Sequence, residues 1–555
     1  MKKVAVIQLL MLIQLCLHAQ NDTLPAVRRL LDLSLEELMD IKVVSASGYL
    51  QTTAEAPSTI TVITARQIEE RGYQQLEDAL RDVPGIDMIH INGYAPTLFY
   101  FRGMYGAENT RALLMIDGVV ENNILGSNDL AGPAYSLQNV ERIEIVWGPL
   151  SALYGANAFG GVINMITKKG ADINGLHVKA GFGSFNTRFV EVNTGLRKGS
   201  WEFSAAATLF NSDGPRFENR DPNYTGSYFH DVNSFQGTVS FYGKRSKTTF
   251  NYRSFKTPMG WGTYSNSPTV YLRLPPQGNQ NAGIIGVIQR EFRGEQSGLD
   301  LSNLHTMYLQ NDFSISDKLA LQTRVTYRET GIGDQSYIYV TTDGRKLIRV
   351  PIATFSNRVI GDAGITYKID QHQNLSAGLQ YIQDNVEAGS RGVTFDINTI
   401  YLVDGRDTVV NLNSTFLPRK FDVRTTYGGY LQYQVNTTLL NKTSFTAGIR
   451  YDHNSYFGGA TSPRLTIVNQ PTDKLTFKLQ YGRAFRAPTN LEIHSTPANA
   501  NYQLTYETIN SYEFNVILTA LKKVRLQLNL YRNELDHIIV LANLSNPLTP
   551  NKNPG

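Results

Sequence analysis

Residues Asn139–Lys168 read NVERIEIVWGPLSALYGANAFGGVINMITKK. Two apolar runs, Val140–Trp147 and Gly161–Thr167, have the length and residue content of strands. Gly148-Pro149 stops the first run, because a proline cannot continue a ladder and glycine opens the turn. Gly155 and Gly160-Gly161 permit tight approach of one backbone to another. The whole stretch is a compact piece of mixed α/β structure.

Working upstream, four shorter pieces precede it in order. They are Ala56–Ile63 (APSTITVI), Ala79–Ile86 (ALRDVPGI), Phe101-Arg102-Gly103 and Leu114–Val119 (LMIDGV). Helical stretches at Ala65–Glu70 and Leu76–Arg81 alternate with these strand-like runs. Together with Asn139–Lys168, the ordered set resembles the plug domain of TonB-dependent outer-membrane receptors. One departure is Trp147, where the family usually carries Arg before the Gly-Pro. The resemblance implies a mainly β protein: an N-terminal α/β plug inside a transmembrane antiparallel β-barrel, with about 22 strands in the full-length protein.

Bulk composition agrees with a barrel and excludes other classes. The chain has 555 residues, and Lys+Arg 52 against Asp+Glu 48 leaves a net charge of only +4. No basic block points to nucleic acid. Mean hydropathy is −0.25, and no apolar run after the N-terminus is long enough for a membrane helix. Alternating strands would average to such a value. Met1–Ala19 has the charged start, apolar centre and small terminal residue of a secretory signal peptide. The single cysteine, Cys16, falls inside it, so the mature chain has no disulfide and no Cys-ligated metal.

From Gly175 onward the sequence alternates. Leu176, Val178, Ala180 and Phe182 interleave with His177, Lys179 and Gly181, and the pattern recurs to Val524–Leu530 in about fifteen segments. Tight polar turns follow every second segment, as at Arg197–Ser200, Gly243–Lys247, Ser316–Lys318, Asp370–Gln373 and Gln470–Asp473. Most other connections are long: Asn211–Asn233, Lys256–Leu304, Thr330–Phe355, Asp384–Arg424 and Ala484–Glu507. A sheet whose two ends meet different compartments has this parity, and outer-membrane barrels show it as short periplasmic turns and long outer loops. The expected division is a signal peptide at 1–19, an extension at 20–48, the plug at 49–170 and the barrel at 171–555. The barrel is expected to be incomplete, since Asn551–Gly555 reads as loop rather than as a closing amphipathic strand.

The resemblance also implies roles for particular residues. Ile41-Lys42-Val43-Val44-Ser45-Ala46 resembles a TonB box, the extended segment captured as an added strand by TonB, the energy transducer that works with an inner-membrane proton-motive-force complex. Its bland reading is the plug's first strand. Arg102 and Arg142 occupy places where the family latches plug to barrel carboxylates, with Glu507 and Glu513 as partners; an ion pair within the plug is the alternative. Phe485–Thr489, Tyr506–Thr508 and Ser511–Glu513 resemble a paired motif late in these barrels. His494, between its halves, is either a haem ligand or a solvated loop residue. Tyr94, Tyr105, Asn122, Asn123, Trp261 and Tyr264 are candidate substrate contacts, with Trp261 and Tyr264 alternatively in an aromatic girdle at the lipid interface.

Catalytic motifs are absent from the sequence, and no cofactor is implied. The expected function is uptake of a scarce nutrient across the outer membrane, with an iron–siderophore or cobalamin-type complex as substrate. A haem or oligosaccharide receptor is the alternative within the family, and an adhesin or passive porin the alternative outside it.

Overall fold

The computed structural model of the chain describes residues 42–46, 51–91, 95–105, 110–124, 135–214, 216–218, 225–227, 230–260, 272–273, 284–287, 298–332, 337–342, 346–351, 354–388, 400–402, 408–410, 420–438, 441–489, 492–493, 504–521 and 524–539. The leader expected at 1–19 and the candidate residues Ile41, Tyr94, Trp261, Tyr264 and His494 lie outside the described residues.

The N-terminal unit is organised by a five-stranded sheet in the order β3 (Ile60–Thr64), β8 (Val140–Trp147), β9 (Gly161–Thr167), β6 (Ala112–Ile116) and β7 (Val119–Val120). The two runs of the opening stretch are its centre. β8 lies antiparallel to β3 and β9, and β6 runs parallel to β9. Central strands are covered on both faces, which is why they read as continuous apolar runs. The period of two divides them between two layers. Ile143, Ile145, Ile163, Met165 and Leu114 face the layer that holds helices α1 (Ala65–Arg71) and α2 (Leu76–Arg81). Val146, Val162, Leu113 and Met115 face a second layer with Val43, Ala46, Leu150 and Ala158.

Local signals set the helix ends. Thr64 caps α1 in a reciprocal box, its hydroxyl accepting from the Gln67 N–H at 3.3 Å while Gln67 Oε1 accepts from the Thr64 N–H at 2.9 Å. Gly72, at φ 70°, ends the helix in the left-handed conformation. α2 buries Leu76, Ala79 and Leu80. A side hairpin, β4 (Ile86–Ile91) and β5 (Ala95–Phe101), brings Phe99 and Phe101 into the same layer. Gly161 must lack a side chain, since a methyl there would overlap the Phe101 ring and the Val146 carbonyl.

Among the described residues, the remainder is a wall of fifteen long antiparallel strands, from Gly175–Gly183 to Val524–Asp536, each paired with the next in sequence. Short strands in the connections extend it to a 21-stranded sheet. Side chains alternate as the pattern requires. In Gly458–Thr472, Leu465 and Ile467 are exposed on the outside while Arg464, Thr466 and Val468 are buried inward. The outward row continues as Leu379, Leu431, Ile449, Leu479, Leu526 and Leu528, the surface a bilayer would cover. Trp201 packs against Phe241 at a 5.0 Å centroid distance near the short-turn end, while Tyr381 and Tyr427 pack at 5.3 Å toward the other end. Such aromatic pairs suit the two interfaces. Short turns at 199–200, 243–245, 315–318, 369–372 and 473–474 share one end of the wall. The plug sits against the inner face, and Phe255, Ala484 and Ile509 of the wall belong to the plug's larger hydrophobic cluster.

Candidate functional site

The plug meets the wall through buried charge near the long-loop end. Phe101 closes β5, and Arg102 turns the chain at φ 50° before Gly103. This backbone directs the Arg102 guanidinium at Glu513, with Nη1–Oε1 at 2.8 Å and Nη2–Oε2 at 3.1 Å. Its guanidinium carbon lies over the ring of Tyr531, at 4.1 Å, and over that of Trp147, at 5.3 Å. Trp147, the departure from the family pattern, thus packs against the latch arginine, and its indole N–H donates to Thr61 Oγ1 at 3.1 Å. Gly148, at φ 85°, lies under the same carboxylate, and a methyl there would collide with Glu513. The Gly-Pro turn is therefore shaped by the wall as well as by strand termination.

Glu507 forms the second centre. It accepts from Arg111 Nε at 3.0 Å and Nη2 at 2.9 Å, from Arg486 Nε at 2.7 Å, and from the Ile539 N–H at 2.6 Å. Glu492 takes the other edge of Arg486 at 2.8 and 3.0 Å. Two guanidinium groups and two carboxylates balance, which is what burial of these charges demands. The register Arg486↔Glu507 and Tyr481↔Tyr512 aligns the two halves of the late barrel motif on adjacent strands.

Arg142 is placed differently from the expectation of a barrel latch. Its Nε pairs with Glu144 at 2.8 Å and its Nη1 with Glu141 at 2.7 Å, both within the plug. It lies in β8, flanked by β3 and β9, and among the described residues its charge partners are on its own strand. Arg111, which the sequence reading did not single out, reaches the wall instead.

The segment Lys42–Ala46 is built into the plug. β1 (Lys42–Val43) pairs with β2 (Gln51–Thr52), and Val43, Ser45 and Ala46 are buried. Glu144 Oε2 accepts from the Val44 N–H at 3.1 Å, the Ser45 N–H at 2.9 Å and the Ser45 hydroxyl at 2.6 Å. Asn164 Nδ2 donates to Ser45 Oγ at 2.8 Å, and the Tyr154 hydroxyl donates to the Ser45 carbonyl at 2.9 Å. Burial pushes the Tyr154 phenol well up, with the Glu144 charge adding to it, so it remains a donor. In this conformation Lys42–Val43 is a first strand of the plug.

Across the lumen, the polarity of the contact reverses. Arg253 Nη2 of the wall pairs with Glu121 of the plug at 2.6 Å, and Arg328 donates to the Glu121 and Asn122 carbonyls. Asn122, expected to contact substrate, is buried and structural: its Oδ1 accepts from the Leu114 N–H at 2.9 Å and its Nδ2 donates to the Ala112 carbonyl at 3.0 Å. The amide thereby satisfies the β6 backbone beside it. Asn123 is half-buried, and Tyr105 is 54% exposed and edge-on to Tyr100 at 5.2 Å. Tyr105 lies beside the latch, where its carbonyl accepts from Arg111. Nearby aromatics run Tyr456, Phe457, Tyr506 and Phe485, with Arg424 over Tyr456 at 4.9 Å; the sequence reading had Phe485 and Tyr506 only in the late barrel motif.

A family model described as TonB-dependent Receptor Plug Domain matches residues 52–162, and one described as TonB dependent receptor-like, beta-barrel matches residues 242–555. The chain belongs to the TonB-dependent receptors. It is 23% identical over 503 residues to the vitamin B12 transporter BtuB of Vibrio vulnificus, covering 90% of this chain and 71% of that protein. The iron-regulated outer membrane virulence protein of Vibrio cholerae is 40% identical over 133 residues, 23% of this chain and 20% of its own length. The BtuB of another Vibrio vulnificus strain is matched over 62% of its length, so the chain spans less than two thirds of that protein and of the virulence protein. Among solved structures, the ferripyoverdine receptor of the outer membrane of Pseudomonas aeruginosa superimposes with a TM-score of 0.65 at 15% identity, covering 92% of this chain and 68% of that one. The siderophore receptor PirA from Acinetobacter baumannii gives 0.61 at 17% identity, covering 87% and 71%. TonB-dependent receptors are outer-membrane β-barrels and not enzymes.

Proposed function

We propose that this receptor imports a scarce nutrient into the periplasm with energy delivered by TonB. The observation that carries the reading is a unit with its own five-stranded sheet, seated on the inner face of the wall and sharing one hydrophobic cluster and two buried charge centres with it. A passive pore has no use for a plug held so firmly, whereas a driven transporter needs one that moves only under load. The division at 49–170 for the plug and 171–555 for the barrel belongs to this reading, as does the placing of short turns in the periplasm and long loops outside. TonB would take Ile41–Ala46 as an added strand once that segment leaves its seat on Glu144. An iron–siderophore or cobalamin-type complex is the substrate proposed. The curated and structural relatives favour these classes, and exposed Tyr105 with the Tyr456–Phe485 aromatics and Arg424 offers a surface for a large, partly aromatic or anionic complex.

The test is uptake by cells of labelled iron chelates, cobalamin, haem and oligosaccharides, with and without TonB. One substrate class is expected to bind in both strains and to accumulate only where TonB is present. Val43→Pro, which removes a backbone donor from β1, should leave binding intact and lower uptake at least tenfold. Uptake that persists without TonB would establish a passive pore instead.

A further inference from the structure

The first turn of the plug, between β2 and β3, is gripped by the wall through its backbone. In the wall strand Leu475–Arg486, Thr476, Lys478 and Gln480 face inward while Leu479 faces outward. Lys478 is fully buried, and its Nζ donates to the carbonyls of Thr53 at 2.8 Å, Ala56 at 2.9 Å and Ser58 at 3.0 Å. An ammonium has three donors, and one turn of the plug takes all of them. The adjacent strand adds Arg464, which donates to Ser58 Oγ at 2.6 Å, to the Pro57 carbonyl, and to the Ala46 carbonyl at 2.9 Å. Thr466 Oγ1 reaches the Pro57 carbonyl at 3.2 Å, and Gln480 Nε2 reaches Thr59 Oγ1 at 3.2 Å.

This grip differs from the one immediately upstream. Val44 and Ser45 are held by groups of the plug itself, Glu144, Asn164 and Tyr154. A pull arriving through Lys42 loads those bonds one after another along the chain. Thr53–Thr59 is held by several wall side chains at once, two of them cationic, and all share the load. Charge-assisted bonds are the stronger kind, and a buried ammonium that lost its three carbonyls would be left uncompensated.

We propose that Lys478 and Arg464 form a fixed stop that limits how much of the plug can be drawn out. The proposal rests on the import reading above. A pull that breaks the single bonds from Arg464 to the Ala46 carbonyl and between Gln51 and Gln434 frees the chain as far as Thr52 and ends at the anchored turn, leaving the β3-β8-β9-β6-β7 sheet seated. The eleven residues from Lys42 to Thr52 would reach about 36–40 Å when extended. Substrate then passes a plug that has lost its N-terminal segment and keeps its sheet.

The experiment uses Lys478→Met, which keeps length and removes the donors, in cells with and without TonB. Without the stop, the pull should continue into β3 and open a wide leak. Sensitivity to vancomycin, a glycopeptide that the outer membrane excludes, should rise at least fourfold over wild type, only in cells with TonB. A cysteine at Val62, in β3, should become labelled by a periplasmic maleimide under the same conditions. Lys478→Arg, which retains a cationic donor set, should stay within twofold of wild type. A leak that is equal with and without TonB would mean a merely structural lysine and overturn the stop. So would normal vancomycin resistance and an unlabelled Val62→Cys at wild-type protein level. If Lys478→Met lowers protein level, Thr466→Val with Gln480→Met removes two neutral bonds of the same grip, and a smaller TonB-dependent leak is expected; no leak overturns the stop. Wild-type uptake indifferent to TonB would instead overturn the import reading, and that result comes from cells carrying no variant.

Discussion

The plug is joined to its wall in two ways, by paired side chains and by wall side chains that hold plug backbone. In the first, side chain meets side chain: Arg102 with Glu513, and Arg111 with Glu507, which Arg486 of the wall also holds. In the second, wall side chains meet plug backbone: Lys478 and Arg464 on the carbonyls of Ala46, Thr53, Ala56, Pro57 and Ser58, and Arg328 on those of Glu121 and Asn122. Paired guanidinium and carboxylate groups specify orientation, because a bidentate fork accepts one geometry. A carbonyl cage specifies only the path of the chain. The first contact is therefore sensitive to substitutions on both sides, and the second mainly to substitutions in the wall.

Glu507→Ala should produce the largest effect, since it leaves Arg111 and the inner edge of Arg486 buried without their shared carboxylate. A loss of about 3–5 kcal/mol in plug retention is expected, from the cost of breaking a buried pair by removing one partner. The readout is the urea midpoint for plug release, followed by Trp147 fluorescence with Trp201 and Trp261 changed to Phe. A loss below about 1 kcal/mol would mean that the buried charges relax easily, and the distinction between the two contacts would fail.

Arg102→Lys keeps the charge and gives up both the fork and the stacking on Tyr531 and Trp147. The free energy of plug retention read from the same urea transition should fall by about 1–2 kcal/mol, because an ammonium does not reproduce a bidentate, stacked guanidinium. A silent Arg102→Lys would show that orientation is set elsewhere.

The smallest effect belongs to the plug side of the backbone grip. Thr59→Val removes the acceptor for Gln480 and leaves every gripped carbonyl in place. About 0.5–1.5 kcal/mol is expected, the range of one neutral hydrogen bond. A larger loss would mean that plug side chains matter in the backbone grip as much as in the paired charges.

The backbone plan was written plainly in the sequence. β8 and β9 coincide with the two apolar runs first noted, α2 with Leu76–Arg81, and the wall strands with the alternating segments, because periodicity is a local property that needs no knowledge of distant partners. The contacts between plug and wall were less legible. Arg102 stood out only through its motif, and Arg111, which is equally committed to the wall, has no comparable motif around it. Its partner Glu507 is 396 positions away. Lys478 did leave a trace, as a lone cation on the inward register between Thr476 and Gln480. What that cation would hold was not written there, because its acceptors are carbonyls, which every residue carries. Asn122 shows the converse: a polar residue beside a candidate loop, whose amide is spent on mending its own sheet.

The inward charges of the wall have one more consequence. Among the described residues, the buried side chains that line it include seven cations, Arg253, Arg328, Arg424, Arg450, Arg464, Lys478 and Arg486, against five anions, Glu191, Glu202, Asp452, Glu507 and Glu513. With the plug in place, Glu121 and the plug's carbonyls offset part of this excess. Strip the plug away and these side chains face water as a cationic excess around the plug's former seat, a local field that favours chloride over potassium. A plug-deleted wall in a planar bilayer should therefore display a reversal potential on the anion-selective side in a potassium chloride gradient.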